Sequence, residues 1–413
     1  MKILHTSDWH VGRTTYGQSR SVDHDSVLQE IITLARSERP DLIVHSGDLF
    51  DHARPSIEDM GKVVTVLKEV AAIAPVVVVR GNHDSAAMFQ FFSHAFGIDH
   101  GIHFVDEPRN PDAGGVLRFP CGDGTGLRLA VLPFVHANRV VDAFDDVNHW
   151  RAAYAERIGR MEQELAAELL RDFDPRRDIA MFAAHQYVSG AHINGSERSA
   201  HVADFYATNP KHVPAVGYAA FGHIHKPQRL PSTRVPGRYA GSPIQLDFGE
   251  AGEQKSVVLV DLRPGQQADI ELAELGGGRP LRRLDGTLDE LRALAPAVGR
   301  ELCLVTVHTP THLPNLTEQV LGLLPDAVVL DVKGICADQK LEVLNKQSVS
   351  ADAEPDLNEY FRDFLADQGS NTVAADRLMA AFTTVLTRIE EEQQTPLPEE
   401  SLLTQPLESP CGH

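Results

Sequence analysis

The chain has 413 residues, of which 42% are hydrophobic and 23% charged, a composition typical of a globular protein with room for two or three domains. Its formal net charge of −20 argues against binding nucleic acid through overall charge alone, because phosphate backbones attract basic surfaces. Bound divalent cations or a basic partner could still reverse the sign locally.

Membrane and secretory classes are not expected from the sequence. It contains no apolar run of about 18 residues, and its N-terminus lacks the pattern of a secretory signal. The cysteines Cys121, Cys303, Cys336 and Cys411 lie far apart without a CxxC pair, which excludes a zinc ribbon and a thioredoxin-like site. We therefore expect a cytoplasmic protein with reduced thiols and no membrane partner.

Apolar β-type runs alternate with helical patterns over roughly the first 270 residues. The predicted strands are Lys2–Thr6, Asp41–His45, Pro75–Arg80, Leu127–Pro133, Asp178–Ala184, Tyr218–Phe221 and Ser256–Asp261. The predicted helices are Val22–Ser37, Ile57–Ile73, Ser85–Phe96 and Ala152–Arg171. The four valines Val76–Val79 are typical of a strand buried on both faces. This order predicts an α/β fold with helices packed outside the sheet.

A composition change at 276–280, where the sequence reads GGGRP, predicts a linker. Beyond it, helix and strand candidates alternate at Leu288–Leu294, Glu301–His308, Leu316–Leu324 and Ala327–Val332. Two amphipathic helices are predicted at Leu357–Asp367 and Val373–Glu392, followed by a proline-containing segment that we expect to be disordered. The predicted domains are 1–275, 281–350, a helical segment 355–392 and a tail 393–413.

Polar side chains follow five of the predicted strands at their carboxyl ends, where ligand sites of parallel α/β sheets lie. They are Asp8, His10, Asp48, Asn82, His83, Asp84, His185, His223 and His225. Oxygen and imidazole donors without cysteine indicate Mn, Fe or Zn. A single histidine among 20 is more often a surface or core residue, so the metal hypothesis depends on all five segments together.

The spacing and the flanking glycines fit this hypothesis. Asp8 and His10, like His223 and His225, are two residues apart, and in extended backbone such residues project to the same side. Glycines that precede the candidates, Gly47, Gly81 and Gly222, permit tight turns and close backbone approach.

These segments resemble the calcineurin-type metallophosphoesterase pattern. The matching residues are Asp8-Trp9-His10, Gly47-Asp48, Gly81-Asn82-His83-Asp84, His185 and Gly222-His223-Ile224-His225. The resemblance implies a four-layer α/β/β/α sandwich that holds two metals. The stretches LHTSDWHVGRTTYG, HSGDLFDHARPS and AGSPIQLDFGE further resemble the SbcD family of bacterial nucleases, which work with an SMC-like ATPase. By order and position, 281–350 resembles the family's small α/β capping domain and 355–392 its segment that binds the SbcC-type ATPase.

The resemblance also implies roles for the candidates. One metal would be held by Asp8, His10, Asp48 and His225, and the other by Asp48, Asn82, His185 and His223, with Mn²⁺ expected and Mg²⁺ the alternative. His83 would donate a proton to the leaving sugar oxygen while Asp84 orients its ring. Alternatively, Asp84 only caps the following helix. Archaeal and eukaryotic relatives have a histidine where this chain has Asp51, which His52 follows.

The implied function is a DNA nuclease in repair and recombination, with 3′→5′ exonuclease activity on duplex ends and endonuclease activity on single strands and hairpins. It would act near the nucleoid as a homodimer within a heterotetramer. A phosphatase or cyclic-nucleotide phosphodiesterase, and a catalytically dead scaffold, are the alternatives; the segment after the core and the complete ligand set argue against them. A basic rim and an aromatic helix face would serve DNA and the ATPase. These two sets are Arg13, Arg20, Arg54, Arg80, Lys226 and Arg229, and Tyr360, Phe361, Phe364 and Phe382.

Overall fold

The computed structural model describes residues 1–336 apart from 122–123, 137–146, 195–196, 198–205 and 312, together with 361–362, 378–379 and 382–383. The chain divides into two compact units, Met1–Asp338 and Gln339–His413. All of the helices and strands named below belong to the first unit.

The described elements alternate between strands and helices over most of this unit. The strands are β1 (Lys2–Thr6), β2 (Thr14–Thr15), β3 (Gln18–Ser19), β4 (Leu42–His45), β5 (Val76–Val79), β6 (Ile102–Val105), β7 (Val116–Pro120), β8 (Gly126–Leu132), β9 (Asp178–His185), β10 (Tyr218–Gly222), β11 (Gln228–Arg229), β12 (Gly237–Tyr239), β13 (Lys255–Asp261), β14 (Asp269–Leu275), β15 (Leu281–Gly286), β16 (Leu302–Thr309) and β17 (Val328–Cys336). The α-helices are α1 (Ser21–Glu38), α2 (Ile57–Ala71), α3 (Ala86–Phe96), α4 (Val147–Leu169), α5 (Leu288–Leu294) and α6 (Leu316–Leu323).

Two six-stranded sheets form the centre of the unit. The first has the order β14-β13-β1-β4-β5-β6, in which β1, β4, β5 and β6 run parallel. The second has the order β11-β12-β10-β9-β8-β7, in which β8, β9, β10 and β12 run parallel. The predicted site residues follow β1, β4 and β5 of one sheet and lie at the ends of β9 and β10 of the other.

The sheets pack face to face, because successive side chains of a strand point to opposite faces. Val77 and Val79 pack in the core between the sheets, against residues such as Leu129 and Met181. Val76 and Val78 face the helices α1, α2 and α3, and α4 covers the outer face of the second sheet. This arrangement confirms the predicted four-layer sandwich and the strand buried on both faces.

Serine side chains begin two of the outer helices. Ser56 accepts a hydrogen bond from the amide of Asp59 at the start of α2, and Ser85 accepts one from the amide of Met88 at the start of α3. The helix cap that we considered for Asp84 is therefore wrong, since Ser85 occupies that position.

A smaller three-stranded parallel sheet, β15-β16-β17, follows the sandwich, with α5 and α6 as its connections. The sequence prediction included its helices and two of its strands but missed β15. Leu281 of β15 and Leu302 of β16 form a cluster with Phe248 of the sandwich, and the Arg283 guanidinium lies 5.3 Å from the Phe248 ring centroid. We propose a domain boundary at 275–281 and a capping role for this sheet.

The predicted C-terminal helices lie mostly outside the described residues, and the tail 393–413 lies wholly outside them. The described pairs 361–362, 378–379 and 382–383 are helical, and the rings of Phe361 and Phe382 stack with 4.1 Å between centroids. Among the described residues, no helix has the length and apolarity needed to cross a membrane.

Candidate metal centre

The loops after β1, β4 and β10 hold predicted ligands in left-handed backbone. The φ angles of Asp8, His10, Asp48 and His223 are 50°, 48°, 58° and 96°. Such angles are uncommon for residues with a side chain and concentrate at functional sites. Our explanation of the two-residue spacing by extended backbone is therefore wrong. The amides of Asp8 and His10 instead bond the carbonyls of Gly47 and Asp48, at 2.9 and 3.1 Å, which ties the first two loops together.

Glycines let the loops come this close, as the sequence predicted. A Cβ at Gly81 would lie 2.0 Å from Asp48 Oδ1 and 2.4 Å from the Asp48 amide nitrogen. At Gly47, where φ is +113°, a Cβ would lie 2.1 Å from His185 Nδ1. Larger residues at either position would displace a predicted ligand.

One group of predicted ligands lies around His10, in the loop after β1, and His225, in the loop after β10. Ligand atoms of Asp8, His10 and His225 all lie within 4.8 Å of one another, and the three residues are buried. Asp48 Oδ2 lies 3.6 Å from His10 Nε2 and 3.4 Å from His185 Nε2. Asp48 thus stands between this group and the next, which is the position that we predicted for a bridging carboxylate.

The second group gathers around the amide of Asn82. Asn82 Oδ1 lies 2.9 Å from His185 Nε2 and 2.8 Å from His223 Nδ1. His185 Nδ1 donates a hydrogen bond to the Ser46 carbonyl at 2.9 Å, which assigns the hydrogen of the neutral ring to Nδ1. The lone pair on His185 Nε2 then faces the carbonyl-type oxygen of Asn82.

The same assignment of hydrogens tests whether the first group fits a cation. His10 Nδ1 lies 3.3 Å from Asp51 Oδ1, and His225 Nδ1 lies 3.6 Å from Glu250 Oε1. The negative charge of each carboxylate attracts an N–H group, so it favours the neutral ring whose hydrogen is on Nδ1. The Nε2 atoms of His10 and His225, 3.1 Å apart, then turn lone pairs toward each other. A cation bound by both nitrogens would remove this repulsion, so the donor set fits a metal at each group.

Comparison with known proteins shows the family to which this chain belongs. Residues 1–227 match the family model described as calcineurin-like phosphoesterase. The chain belongs to this family. The arrangement of Asp, Asn and His at the strand ends is thus the candidate dimetal centre of a phosphoesterase.

Relatives narrow the family further. The SbcD component of the nuclease SbcCD from Bacillus subtilis (strain 168) is 32% identical over 302 residues, which are 68% of this chain and 71% of the relative. The corresponding SbcD component from Escherichia coli (strain K12) is 28% identical over 418 residues, 95% of this chain and 100% of the relative. This similarity makes the chain a member of the SbcD family of phosphoesterases.

One solved structure with partial likeness is a dimetal phosphatase from Danio rerio. It is 12% identical, with a TM-score of 0.41, and the match covers 67% of this chain and 96% of the phosphatase. The likeness is too loose to add to the assignment of the fold.

Burial and mutual charge set the protonation of the phosphoesterase centre. Burial alone would raise the pKa of Asp48, but the imidazoles of His185 and His83 outweigh it and hold that pKa well below its usual range. Burial would lower the pKa of His185, yet the Asp48 carboxylate raises it. Burial lowers the pKa of His10 to about 3, which keeps its ring neutral. Burial would lower the pKa of His225 as well, but the Glu250 and Asp8 carboxylates raise it, so metal binding competes with protons at both His185 and His225.

The contacts of His83 differ from those that we predicted. Its Nδ1 lies 2.6 Å from the main-chain oxygen of Asp51, and its backbone amide donates to Asp48 Oδ1 at 2.8 Å. The expectation that Asp84 orients this ring is wrong, because the Asp51 carbonyl does so. The ring stands edge-on to His10, with 4.6 Å between centroids.

Asp84 instead organises the loop that carries Asp48. Its carboxylate accepts hydrogen bonds from the amides of Gly81, Asp48, Leu49 and Phe50 at 3.0 to 3.3 Å. Burial, reinforced by the Asp48 charge and opposed by these amides, raises the pKa of Asp84 to about 7. Asp84 therefore supports the position of a predicted ligand.

The basic rim predicted beside the motifs is wrong for two of its members. Arg20 is fully buried and donates to Asp23 at 2.6 Å, and Arg80 is 4% exposed and donates to the Phe134 carbonyl at 2.7 Å. A position next to a motif in the sequence does not show whether a residue is buried, so we predicted that these arginines lie at the surface. Arg54 and Arg229 are exposed, as predicted for a rim.

Sequence reasoning missed the supporting role of Glu250. This buried carboxylate lies 3.6 Å from His225 Nδ1 and 2.6 Å from Lys255 Nζ. The signal was present, because Glu250 ends the AGSPIQLDFGE stretch that we used only as a family likeness. Phe248 in the same stretch contacts the small sheet. One segment thus touches both the candidate metal centre and the third sheet.

Proposed function

We propose that this chain is the Mn²⁺-dependent nuclease component of an SbcCD-type complex. It would cut duplex ends as a 3′→5′ exonuclease and single strands and hairpins as an endonuclease, in DNA repair and recombination. The observation that carries the proposal is the convergence of Asp, Asn and His side chains from five strand ends at one buried edge of the two sheets. Similarity over the whole length of the Escherichia coli relative supports a nuclease component over a stand-alone phosphatase.

The proposed ligands divide into two sets that share Asp48. Asp8, His10 and His225 complete one set, and Asn82, His185 and His223 complete the other. When bound, two divalent cations supply positive charge to the phosphate oxygens and lower the pKa of water. A donor set of oxygen and imidazole favours Mn²⁺, with Mg²⁺ as the alternative.

His83 is the proposed proton donor to the leaving sugar oxygen. The hydrogen on its Nδ1 is directed to the Asp51 carbonyl, so Nε2 is the atom that exchanges a proton with the substrate. Asp84 acts indirectly, because it bonds the backbone of the Asp48 loop. In this proposal the chain positions the phosphate between its two ligand sets and His83.

The proposed partners are DNA, an SbcC-type ATPase and a second copy of the chain, in a cytoplasmic heterotetramer associated with the nucleoid. The net charge of −20 supports a partner that supplies much of the DNA contact. The helical segment 355–392 is the proposed ATPase-binding element. Deleting 355–413 should abolish co-purification with the ATPase while the remaining chain still cleaves single strands; unchanged co-purification would locate the interface elsewhere.

The function is tested by a nuclease assay on the metal-stripped chain after addition of Mn²⁺ or Mg²⁺, with and without its ATPase partner. Substrates are a hairpin, a blunt duplex and p-nitrophenyl phosphates, and Asp48→Asn serves as the inactive control. We expect DNA cleavage with Mn²⁺ and a requirement for the ATPase on duplex ends. Turnover of the nitrophenyl esters without cleavage of any DNA would favour a phosphatase.

A further inference from the structure

The two proposed metal sites differ in what lies behind their histidines. Ligating histidines are commonly fixed by an acceptor on the nitrogen that does not bind metal, and a carboxylate there increases the basicity of the ring. In this chain a carboxylate oxygen lies 3.3 Å from this nitrogen of His10 and 3.6 Å from that of His225, whereas the acceptor for His185 is a neutral carbonyl. This difference affects how tightly each site binds a metal ion.

Behind His10 stands Asp51, the third residue after Asp48. The Asp51 side chain is only 5% exposed and its Oδ1 lies 3.3 Å from His10 Nδ1. Arg13 donates to the same oxygen at 3.2 Å, and His52 Nε2 lies 3.2 Å from the other oxygen. These contacts from two sides fix the carboxylate against the His10 ring.

Behind His225 stands Glu250, which is fully buried. Its Oε1 lies 3.6 Å from His225 Nδ1, and its Oε2 accepts from the Leu246 amide at 3.1 Å and pairs with Lys255 Nζ at 2.6 Å. Lys255 also donates to the His225 carbonyl at 3.0 Å. Glu250 therefore places a negative charge beside the ring of this histidine, and Lys255 holds its backbone.

The other site has less negative charge around it. His185 Nδ1 donates to the Ser46 carbonyl, and Asn82 contributes a neutral oxygen. Asp48 is shared between the sites, and Asp8 is a proposed ligand of the first site, although it also lies within 4.8 Å of Asp48 and His185. A cation between His10 and His225 therefore meets two proposed carboxylate ligands and two further carboxylates behind its imidazoles.

We infer that the two sites are unequal and that Asp51 and Glu250 are positioning residues that make the Asp8–His10–His225 site the tighter one. The inference rests on the proposed dimetal function and adds an order of loading to it. At limiting Mn²⁺ the first ion occupies this site. The site of Asn82, His185 and His223 fills only at higher Mn²⁺ concentration.

Calorimetric titration of the metal-stripped full chain with Mn²⁺ tests the inference. We expect two ions per chain, with affinities at least about tenfold apart, because carboxylate support of ligands is worth roughly 10- to 100-fold. Asp51→Asn and Glu250→Gln should each weaken the tighter ion by about 10- to 100-fold and leave the weaker within about threefold. His185→Ala should remove the weaker ion and keep the tighter.

The matched control is Glu253→Gln. Glu253 also pairs with Lys255, at 3.3 Å, and its other contacts are with Asn194 and Lys226. Glu253→Gln therefore measures the effect of removing a nearby negative charge. We expect less than about a threefold change in the affinity of either site for Mn²⁺. Glu250→Gln leaves Lys255 with one carboxylate fewer. If circular dichroism shows that this variant does not fold, Asp51→Asn alone tests the inference.

The outcomes separate this inference from the proposed function. Two ions in the wild type, with the tighter affinity unchanged in Asp51→Asn or both affinities lowered equally, would overturn the inference and leave the dimetal centre standing. Equal effects of Glu253→Gln and Glu250→Gln would also overturn it. A wild-type chain that binds fewer than two ions would overturn the proposed function itself.

Discussion

His83 Nδ1 lies 2.6 Å from the main-chain oxygen of Asp51, and this contact determines which nitrogen of His83 is left for the proposed proton transfer. A carbonyl oxygen accepts hydrogen bonds and cannot donate them, so Nδ1 carries a hydrogen. Proton exchange then belongs to Nε2. The residue is 5% exposed beside the proposed ligand His10, which suits a proton donor at the edge of a buried centre.

Replacing His83 by Gln should separate metal binding from cleavage. We expect two Mn²⁺ per chain, as in the wild type, and a loss of cleavage of about 10²- to 10⁴-fold, the usual contribution of a general acid. Elemental analysis and single-turnover cleavage measure the two quantities. His94→Gln on the exposed side of α3 is the control and should change neither. A His83→Gln chain that has lost an ion would show that His83 is a ligand.

Asp48 is the position on which both sites depend. Asp48→Ala removes the carboxylate that lies within 3.6 Å of His10 Nε2 and 3.4 Å of His185 Nε2. We expect both ions to be lost or held far more weakly in Mn²⁺ titrations. Retention of two tightly bound ions would contradict the bridging role.

Gly81→Ala tests the close approach of the second and third site loops. The added Cβ would lie 2.0 Å from Asp48 Oδ1, so the loop must shift and Mn²⁺ affinity should fall although no ligand is replaced. Gly61→Ala is the control, because nothing lies within 4 Å of its Cβ and it sits inside α2. The control should bind Mn²⁺ normally and gain roughly 0.5–1 kcal/mol of stability. Equal Mn²⁺ affinities in the two variants would refute the steric argument.

The buried carboxyl of Glu162 on α4 should make the fold less stable at alkaline pH. It is 1% exposed, and neither oxygen has a hydrogen-bond partner among the described residues. Burial raises its pKa from 4.5 to about 8. The unfolded chain therefore releases this proton at lower pH than the folded chain, so stability falls as pH rises between these two values and levels off above them.

Glu162→Leu should remove that part of the pH dependence. We expect a gain in the free energy of unfolding on the order of 1–3 kcal/mol at pH 8, and less at pH 5, from denaturant titrations. Glu156→Gln is the control, because Glu156 is exposed and pairs with Arg160 on the same helix. A wild-type and a Glu162→Leu chain with parallel pH profiles would rule out the ionisation of Glu162 as the cause.

Much of the fold and the candidate site could be predicted because both depend on local signals. The apolar run Val76–Val79 followed by Gly81 and Asn82 indicates a buried strand that ends in a ligand, and neighbouring motifs repeat this pattern. β14 and β15 were missed because their polar residues break the apolar pattern. Contacts between distant segments were not predictable, such as the buried ion pair of Arg20 and the Asp51 carbonyl on His83.

The most direct test of the central claim is anomalous diffraction from crystals of the full chain grown with Mn²⁺. We expect two anomalous peaks about 3.5–4 Å apart, as in other dimetal sites, with the Asp48 carboxylate between them. One peak lies against Asp8, His10 and His225, and the other against Asn82, His185 and His223. A single peak, or two peaks that Asp48 does not touch, would contradict a dimetal phosphodiesterase centre in this chain.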